Sequence, residues 1–374
     1  MNNKIIGLSE FLNEYKIEID CKDSLNLIID NKYFDFTNEA SDVFIIQKLL
    51  FKLSFIKNIE INWQVEKNNE VLNSPNSFPI VACLLMHKKV KHNFPKKINF
   101  EIQQIREKIH SNRIKFDWFT QPKMIICADH YGLGHPPDLY DSINSINIKS
   151  REHFEQIIFP YVERHLANNQ DLKSAFKWRA SLAAVVYEIF ENTDLHGKTG
   201  FNNEALNTSI RGIIFREIEY KPYQSVKNNL KHKKSLEISI FDSGLGYFEK
   251  SQNKKIDVNL SINDELKILE NCLSMHLEDN HKFSAAQGLH GIGLYEVLRA
   301  LKFLQGSFEI RTGRLHAYRS FMPDDLALQM EKNDSISKPN MPKAKLLDMQ
   351  NIYLIKPTEH PKTIGASIKI TVPI

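Results

Sequence analysis

The first part of the chain alternates between strand-like and helix-like spacing of its apolar residues. Residues 25–30 (LNLIID) and 59–65 (IEINWQV) are rich in β-branched and aromatic side chains, which favours strands. The segment VFIIQKLLFKL between them has helical spacing. An apolar run at 78–86 is nine residues long, against the roughly 20 that a membrane-spanning helix needs. We therefore interpret this run as a buried element of a small α/β unit.

The rest of the chain is predicted to contain further helices and strands of ordinary length. A turn-rich segment at 131–138 (YGLGHPPD) predicts a boundary between an N-terminal α/β module, residues 1–135, and a second domain, residues 150–374. The pattern in the second domain predicts a helix from about 150, a helix at 175–195, strands at 209–218 and 236–242, helices at 262–278 and 294–304, and a closing strand, GASIKITVPI. The fold class is therefore α/β.

Polar residues follow one flank of the predicted helix at 175–195. Glu188, Asn192 and His196 recur at steps of four beside a predicted buried stripe made of Leu182, Val185, Val186, Ile189 and Thr193. A carboxylate and a carboxamide one turn apart present oxygen ligands suited to Mg²⁺. A polar border that only caps the core explains the same spacing, and this segment alone does not decide between the two interpretations.

The strand at 236–242 ends on an acidic residue. Asp242 has the same parity as Leu236, Ile238 and Ile240, so its carboxylate is predicted to face the core. Gly244 and Gly246 in the following DSGLG allow positive φ and close approach of a ligand to the backbone. A DxGxG sequence is also common turn chemistry.

A glycine-rich turn precedes the predicted helix at 294–304. The turn GLHGIG carries Gly288, Gly291 and Gly293, and an amphipathic helix with apolar residues at i, i+3, i+4 and i+7 follows it directly. Free amides at such a helix start favour a phosphate, and glycines let the phosphate come close. The glycines also suit a turn without a ligand.

In this order and with these separations, the three segments resemble the GHKL superfamily, the ATP-binding fold shared by DNA gyrase, MutL and histidine kinases. ENTDLHG is similar to its N-box, DSGLG to its adenine-pocket box and GLHGIGL to its glycine box, which makes residues 247–287 the ATP lid. The closing strand is similar as well, but Ala366 stands where threonine is usual, with Ser367 adjacent. The resemblance covers residues 175–374 and implies a two-layer α/β sandwich, with a mixed sheet and helices on one face. The N-terminal module faintly resembles STAS domains.

The resemblance also implies roles for single residues. Glu188 would orient and deprotonate the attacking water, and Asn192 would hold Mg²⁺. Asp242 would accept from the exocyclic amine of adenine, and Gly244 and Gly246 would clear room for the base. Weaker candidates for nucleotide contact are His196, Lys198, Lys282, Ser284 and Ser367, with Glu191 as an alternative base that is predicted to face solvent. Phosphate would lie on the glycine box, at Gly288, His290, Gly291, Ile292, Gly293 and Leu294.

Three functions follow as hypotheses. The first is a Mg²⁺-dependent ATPase that acts as a conformational switch on a protein partner or in a homodimer. The second is a serine kinase of the anti-sigma-factor type, since the sequence around His153 lacks the order typical of an autophosphorylated histidine. The third is a nucleotide-binding scaffold without turnover.

Composition changes this picture little. With 42% hydrophobic and 25% charged residues the chain is typical of globular proteins, which excludes a disordered or fibrous class. The net charge of +4 comes mostly from lysine clusters that we interpret as solvated loops, so nucleic acid is not expected as a partner. The short apolar run at 78–86 likewise gives no reason to expect a membrane. The N-terminus lacks the pattern of a signal peptide, which predicts a cytoplasmic location. Widely spaced cysteines predict buried free thiols rather than zinc ligands: Cys21, Cys83, Cys127 and Cys272.

Overall fold

A computed structural model describes most of the chain. The described residues are 5–8, 12, 24–30, 43–65, 77–111, 123–129, 135–142, 147–167, 172–206, 208–219, 234–273, 290–322, 346–350 and 357–374. They form two sheets with helices packed against them, so the α/β class is confirmed. No helix within these ranges is both long and apolar enough to cross a membrane.

The first sheet is parallel and has four strands in the order β1-β2-β3-β4. Its strands are β1 (Ile5–Gly7), β2 (Ser24–Asp30), β3 (Asn58–Gln64) and β4 (Val90–Asn93). Helix α1 (Val43–Ser54) connects β2 to β3, and α2 (Phe78–Met86) connects β3 to β4. Every residue of α2 is buried, which confirms the interpretation of the apolar run. A third helix, α3 (Asn99–Ser111), follows β4.

The second sheet has seven strands in the order β10-β9-β8-β11-β7-β6-β5. They are β5 (Lys123–Ala128), β6 (Ile210–Glu219), β7 (Lys234–Asp242), β8 (Ser307–Thr312), β9 (Leu315–Ser320), β10 (Leu347–Asp348) and β11 (Ala366–Pro373). Each pair of neighbouring strands is antiparallel, so the expected mixed sheet is wrong for these strands. Strand β5 lies inside the predicted N-terminal module but pairs with β6. The division between the two sheets therefore falls before residue 123.

Helices cover both faces of the second sheet. One face packs against α4 (Arg151–Ala167), α5 (Leu172–His196), α7 (Ile262–Leu273) and α8 (His290–Leu304), and the short helix α6 (Tyr247–Gln252) directly follows the β7 turn. Side chains of opposite parity, including Met124, Ile126 and Phe241, join a core shared with α1, α2 and α3. The helices of the second domain thus lie on one face, as expected, and helices of the N-terminal part cover the opposite face. A strand buried on both sides places alternate apolar residues in two cores.

Three of the four cysteines lie in the described ranges, and none of these three forms a disulfide. Cys83 and Cys127 are buried, as predicted, and Cys272 is partly buried. Burial raises the pKa of Cys127 to about 12 and that of Cys272 to about 11, so both remain thiols at neutral pH. Cys21 lies outside the described residues.

Candidate functional site

Helix α5 carries the polar line that the sequence pattern singled out. Its predicted buried stripe is confirmed, since Leu182, Val185, Val186, Ile189 and Thr193 are all buried. Glu188, Asn192 and His196 are each partly buried, as residues at the margin of a stripe should be. The helix ends at His196, and Gly197 follows it in a turn.

Glu188 forms an ion pair with Arg151 of α4. Its side chain is 14% exposed, whereas that of Arg151 is 50% exposed. Burial raises the pKa of Glu188, and the positive charge of Arg151 partly opposes this effect. The negative charges of Glu191 and of Glu296 on α8 raise the pKa further.

Asn192 uses its amide nitrogen within the helix. Its Nδ2 donates to the carbonyl oxygen of Glu188 at 2.7 Å, so the side chain presents Oδ1, the type of oxygen that Mg²⁺ binds. Lys198 pairs with Asp194, with 3.0 Å between Nζ and Oδ2. Glu191 was expected to face solvent, but it is partly buried and accepts from the hydroxyl of Tyr187 at 2.8 Å. The side chain of Tyr187, which lies beside Glu191, accounts for its partial burial.

Asp242 is buried at the end of β7, as its parity predicted, and is only 5% exposed. Its Oδ1 accepts from the amide of Gly244 at 2.8 Å. Burial raises the pKa of Asp242 to about 7, although the amides of Gly244 and Ala366 oppose the change. A carboxyl group with this pKa is partly protonated at neutral pH, which is unusual for an aspartate.

Three chain segments meet around Asp242 so closely that only glycine fits. A Cβ on Gly244 would lie 2.6 Å from the carbonyl oxygen of Gly197, and one on Gly197 would lie 2.5 Å from the Cβ of Asp242. Gly365 has φ +58° and lies against the carbonyl oxygen of Asp242. Gly246 approaches Thr312 instead. The prediction that Gly244 and Gly246 are glycines because they need a positive φ is wrong. The described glycines with positive φ are Gly313 and Gly365. Close approach of backbone is the reason that applies.

Helix α8 begins at His290, four residues earlier than the pattern predicted, so part of the glycine turn is helical. The first-turn amides therefore belong to His290, Gly291, Ile292 and Gly293. Leu294 is buried, with Val297, Leu298 and Leu301. Gly288, Lys282 and Ser284 lie outside the described residues, and the predicted lid is described only to residue 273.

Helices α5 and α8 run antiparallel. The ammonium group of Lys177, near the start of α5, lies 4.6 Å from the ring centre of Phe303, near the end of α8. Farther along the two helices, the charge of Glu296 acts on Glu188. The start of α8 therefore points toward the end of α5, where Gly197 contacts Asp242. The end of α5 and the turn after β7 therefore meet at one end of the second sheet.

Ser367 does not join this group. In the sheet register Ser367 pairs with Phe241, whose ring lies in the core on the opposite face from Asp242. Neighbouring residues on paired strands share a face, so the hydroxyl of Ser367 points away from the site. The prediction that Ser367 contacts a nucleotide on the Asp242 face is therefore wrong.

A buried ion-pair network beside Asp242 was missed. Arg211, fully buried on β6, is the register partner of Asp242. Its guanidinium contacts Asp129 at 2.6 Å, Asp194 at 3.0 Å and the hydroxyl of Tyr140 at 2.8 Å. Burial alone would raise the pKa of Asp129, but hydrogen bonds from Arg211 outweigh burial and the pKa lies below its usual range. The sequence did contain a signal for this network. Arg211 lies on the same face of its strand as the apolar residues Ile213 and Phe215, which indicates a buried arginine that needs acidic partners.

Comparison with protein-family models, with curated proteins and with solved structures finds no match to this chain.

Proposed function

We propose that this chain is a GHKL-type protein that binds ATP with Mg²⁺ at the end of the second sheet, hydrolyses it, and acts as a nucleotide-controlled switch on a protein partner. The nucleotide would lie between the end of α5, the turn after β7 and the start of α8. The observation that carries the proposal is the environment of Asp242, a buried carboxyl group enclosed by glycine backbone.

Asp242 suits the recognition of an adenine base. Keeping a carboxyl group this deeply buried is unfavourable unless it has partners, and those it has in the described part of the chain are the backbone amides of Gly244 and Ala366. Its other oxygen would accept from the 6-amino group of adenine. Guanine carries an acceptor at that position, so the same carboxylate would discriminate against it.

The residues on α5 fit a magnesium nucleotide. Asn192 presents a carboxamide oxygen, which is a suitable ligand for Mg²⁺, and that ion would neutralise phosphate charge when bound. Glu188 lies one turn earlier with a pKa raised by burial, as suits a group that accepts a proton from water. Its role would be to orient the water that attacks the γ-phosphate.

The start of α8 suits the phosphates. The first-turn amides have no partner within the helix, and the positive end of the helix dipole lies there. Two of the four residues at this start are glycines, which allow a phosphate to approach the backbone. The partner that would read the nucleotide state is proposed only as a protein, in a heteromeric complex or a homodimer.

The ion pair between Arg151 and Glu188 favours a second candidate, a nucleotide-binding scaffold without turnover. A carboxylate held by a guanidinium is a poor base, because the positive charge stabilises its ionised form. Arg151 is half exposed, however, and such pairs are weak. Hydrolysis therefore requires that Glu188 leave this pair when nucleotide binds.

Incubation with γ-labelled ATP and Mg²⁺ separates the alternatives. Release of labelled phosphate would support the ATPase, and transfer of label to a protein would indicate a kinase. If neither occurs, the nucleotide-binding scaffold is the remaining candidate. A calorimetric titration with Mg²⁺-ATP tests binding independently. The absence of heat at all temperatures tested, together with no labelled phosphate, would refute the proposal.

Variants on α5 test the assigned roles. We expect Glu188→Ala to retain ATP binding and lose phosphate release, and Asn192→Ala to bind more weakly in the presence of Mg²⁺ but equally in its absence. Glu191→Ala is the matched control, since Glu191 lies on the same helix and is occupied by Tyr187. Hydrolysis by Glu188→Ala at the wild-type rate would remove Glu188 from this role.

A further inference from the structure

A row of side chains crosses the end of the second sheet on the face that holds Asp242. Register pairs place Leu315 beside Thr312, and Thr312 beside Ala366. Ser367 of β11 pairs with Phe241 of β7. Continuing this antiparallel register by one residue places Ala366 opposite Asp242. Thr312 and Asp242 are thus separated by a single strand, or about 9.5 Å between backbones. The intervening residue, Ala366, has only a methyl group as its side chain.

Thr312 is buried, with 3% of its surface exposed. Its Oγ1 accepts from the amide of Tyr247 at 3.1 Å and donates to the carbonyl oxygen of Gly365 at 3.2 Å. A Cβ on Gly246 would lie 2.8 Å from the same oxygen. One hydroxyl therefore joins the turn after β7, the first residue of α6 and the residue before β11.

Both segments held by Thr312 contact Asp242 or its turn. The amide of Gly365 donates to the carbonyl oxygen of Gly244 at 2.8 Å, and Gly365 lies against Asp242 itself. Tyr247 begins the helix that follows the Asp242 turn. Burial raises the pKa of the Tyr247 hydroxyl, and the charges of Cys272 and Asp242 raise it further. The single hydroxyl proton of Thr312 is donated to Gly365, so this hydroxyl has no second proton to donate to Asp242 or to a ligand.

We propose that Thr312 is a positioning residue of the base subsite: its hydroxyl fixes Gly365 and the start of α6, and thereby sets the direction in which Asp242 meets the amino group of a purine. This inference rests on the proposed function. It assigns base selectivity to a threonine on β8, outside all the segments that carry the family resemblance.

The test compares ATP with inosine triphosphate, which carries an oxygen in place of the 6-amino group. Dissociation constants are measured by calorimetry for the full-length wild type and for Thr312→Val, which removes the hydroxyl at constant volume. Thr312→Ala is measured alongside, because it removes the hydroxyl without a methyl group beside Gly246. Thr312→Ser tests rescue, and Thr371→Val removes a hydroxyl from the far end of β11 as the control.

We expect Thr312→Val and Thr312→Ala to bind ATP about tenfold more weakly and inosine triphosphate about as the wild type does, so that the selectivity ratio falls. Thr312→Ser should recover the ratio to within about threefold, and Thr371→Val should leave it unchanged. A purely structural role would weaken both nucleotides together.

An unchanged ratio in both hydroxyl-free variants would overturn the inference while leaving ATP binding intact. Equal weakening of both nucleotides would overturn it too. If the wild type itself binds no nucleotide, the proposed function has failed as well, and the wild-type titration alone reveals this.

Discussion

Replacing Asp242 by asparagine should make the free protein more stable at alkaline pH and at the same time impair nucleotide binding. Burial keeps the carboxyl group of Asp242 partly protonated in the folded state, with a pKa of about 7 against an ordinary value of 3.8. Asparagine is nearly isosteric and neutral, and its Oδ1 can still accept from the amide of Gly244. The substitution therefore removes an unfavourable charge while it preserves the local hydrogen bond.

The magnitude follows from the difference in pKa. Because the folded-state pKa is the higher one, the folded protein binds more protons between about pH 4 and pH 7, and stability falls as pH rises through this window. Keeping Asp242 ionised above pH 7 costs about 4 kcal/mol, at about 1.4 kcal/mol for each tenfold change in proton affinity. Between pH 5 and pH 8 the wild type should lose about 2.5 kcal/mol of unfolding free energy relative to Asp242→Asn.

Urea unfolding of both proteins at pH 5 and pH 8 measures this difference, and taking the difference between proteins cancels the titration of all other groups. Calorimetry at pH 8 should show ATP binding weakened at least about tenfold, since an amide nitrogen would face the donor of adenine. Greater stability with poorer binding identifies a residue kept for function. A wild-type protein that matches the variant at both pH values would refute the assignment of a raised pKa to Asp242.

Two further substitutions test the packing that supports the site. Gln47→Leu removes an Nε2 that donates to the carbonyl oxygens of Arg311 at 3.0 Å and Ile364 at 2.9 Å, and should lower the unfolding free energy by about 1–3 kcal/mol in urea with an unchanged m value. Arg314→Met leaves the buried carboxylate of Glu265 without its guanidinium and should cost about 3–5 kcal/mol in the same measurement. The double variant with Glu265→Leu should recover most of that loss, and a double variant as unstable as the single one would contradict the ion-pair explanation.

The periodic elements were predictable because they depend on neighbours in sequence. The helix predicted at 175–195 is α5, Leu172–His196, and the strand predicted at 236–242 is β7, Lys234–Asp242. The burial of Asp242 followed from its parity with three apolar residues, since a strand turns alternate side chains to the same face. The start of α8 was placed four residues late, because Gly291 and Gly293 were taken as part of a turn, whereas both lie in the first turn of the helix.

Contacts between distant segments were not predictable in this way. Ser367 was an attractive candidate because it is adjacent to Ala366 in sequence, but register with Phe241 turns it to the opposite face. Arg211 and Thr312 carried no motif, and each acquires its importance from residues more than 50 positions away, Asp129 and Gly365. The pairing of β5, which lies in the predicted N-terminal module, was not predictable for the same reason, since its partner β6 comes after α4 and α5.

The sequence by itself determined which segments form helices and strands and which side of each is apolar. It also determined where polar residues or glycines lie at the ends of these elements. These properties arise from periods of 3.6 and 2 residues and from backbone sterics, which act over a few residues. Only the tertiary structure decided that Gly197, Gly244 and Gly365 enclose Asp242 and that Thr312 on β8 donates a hydrogen bond to Gly365. Strand order and register set those distances, and they are fixed by the packing of the whole sheet against both of its cores.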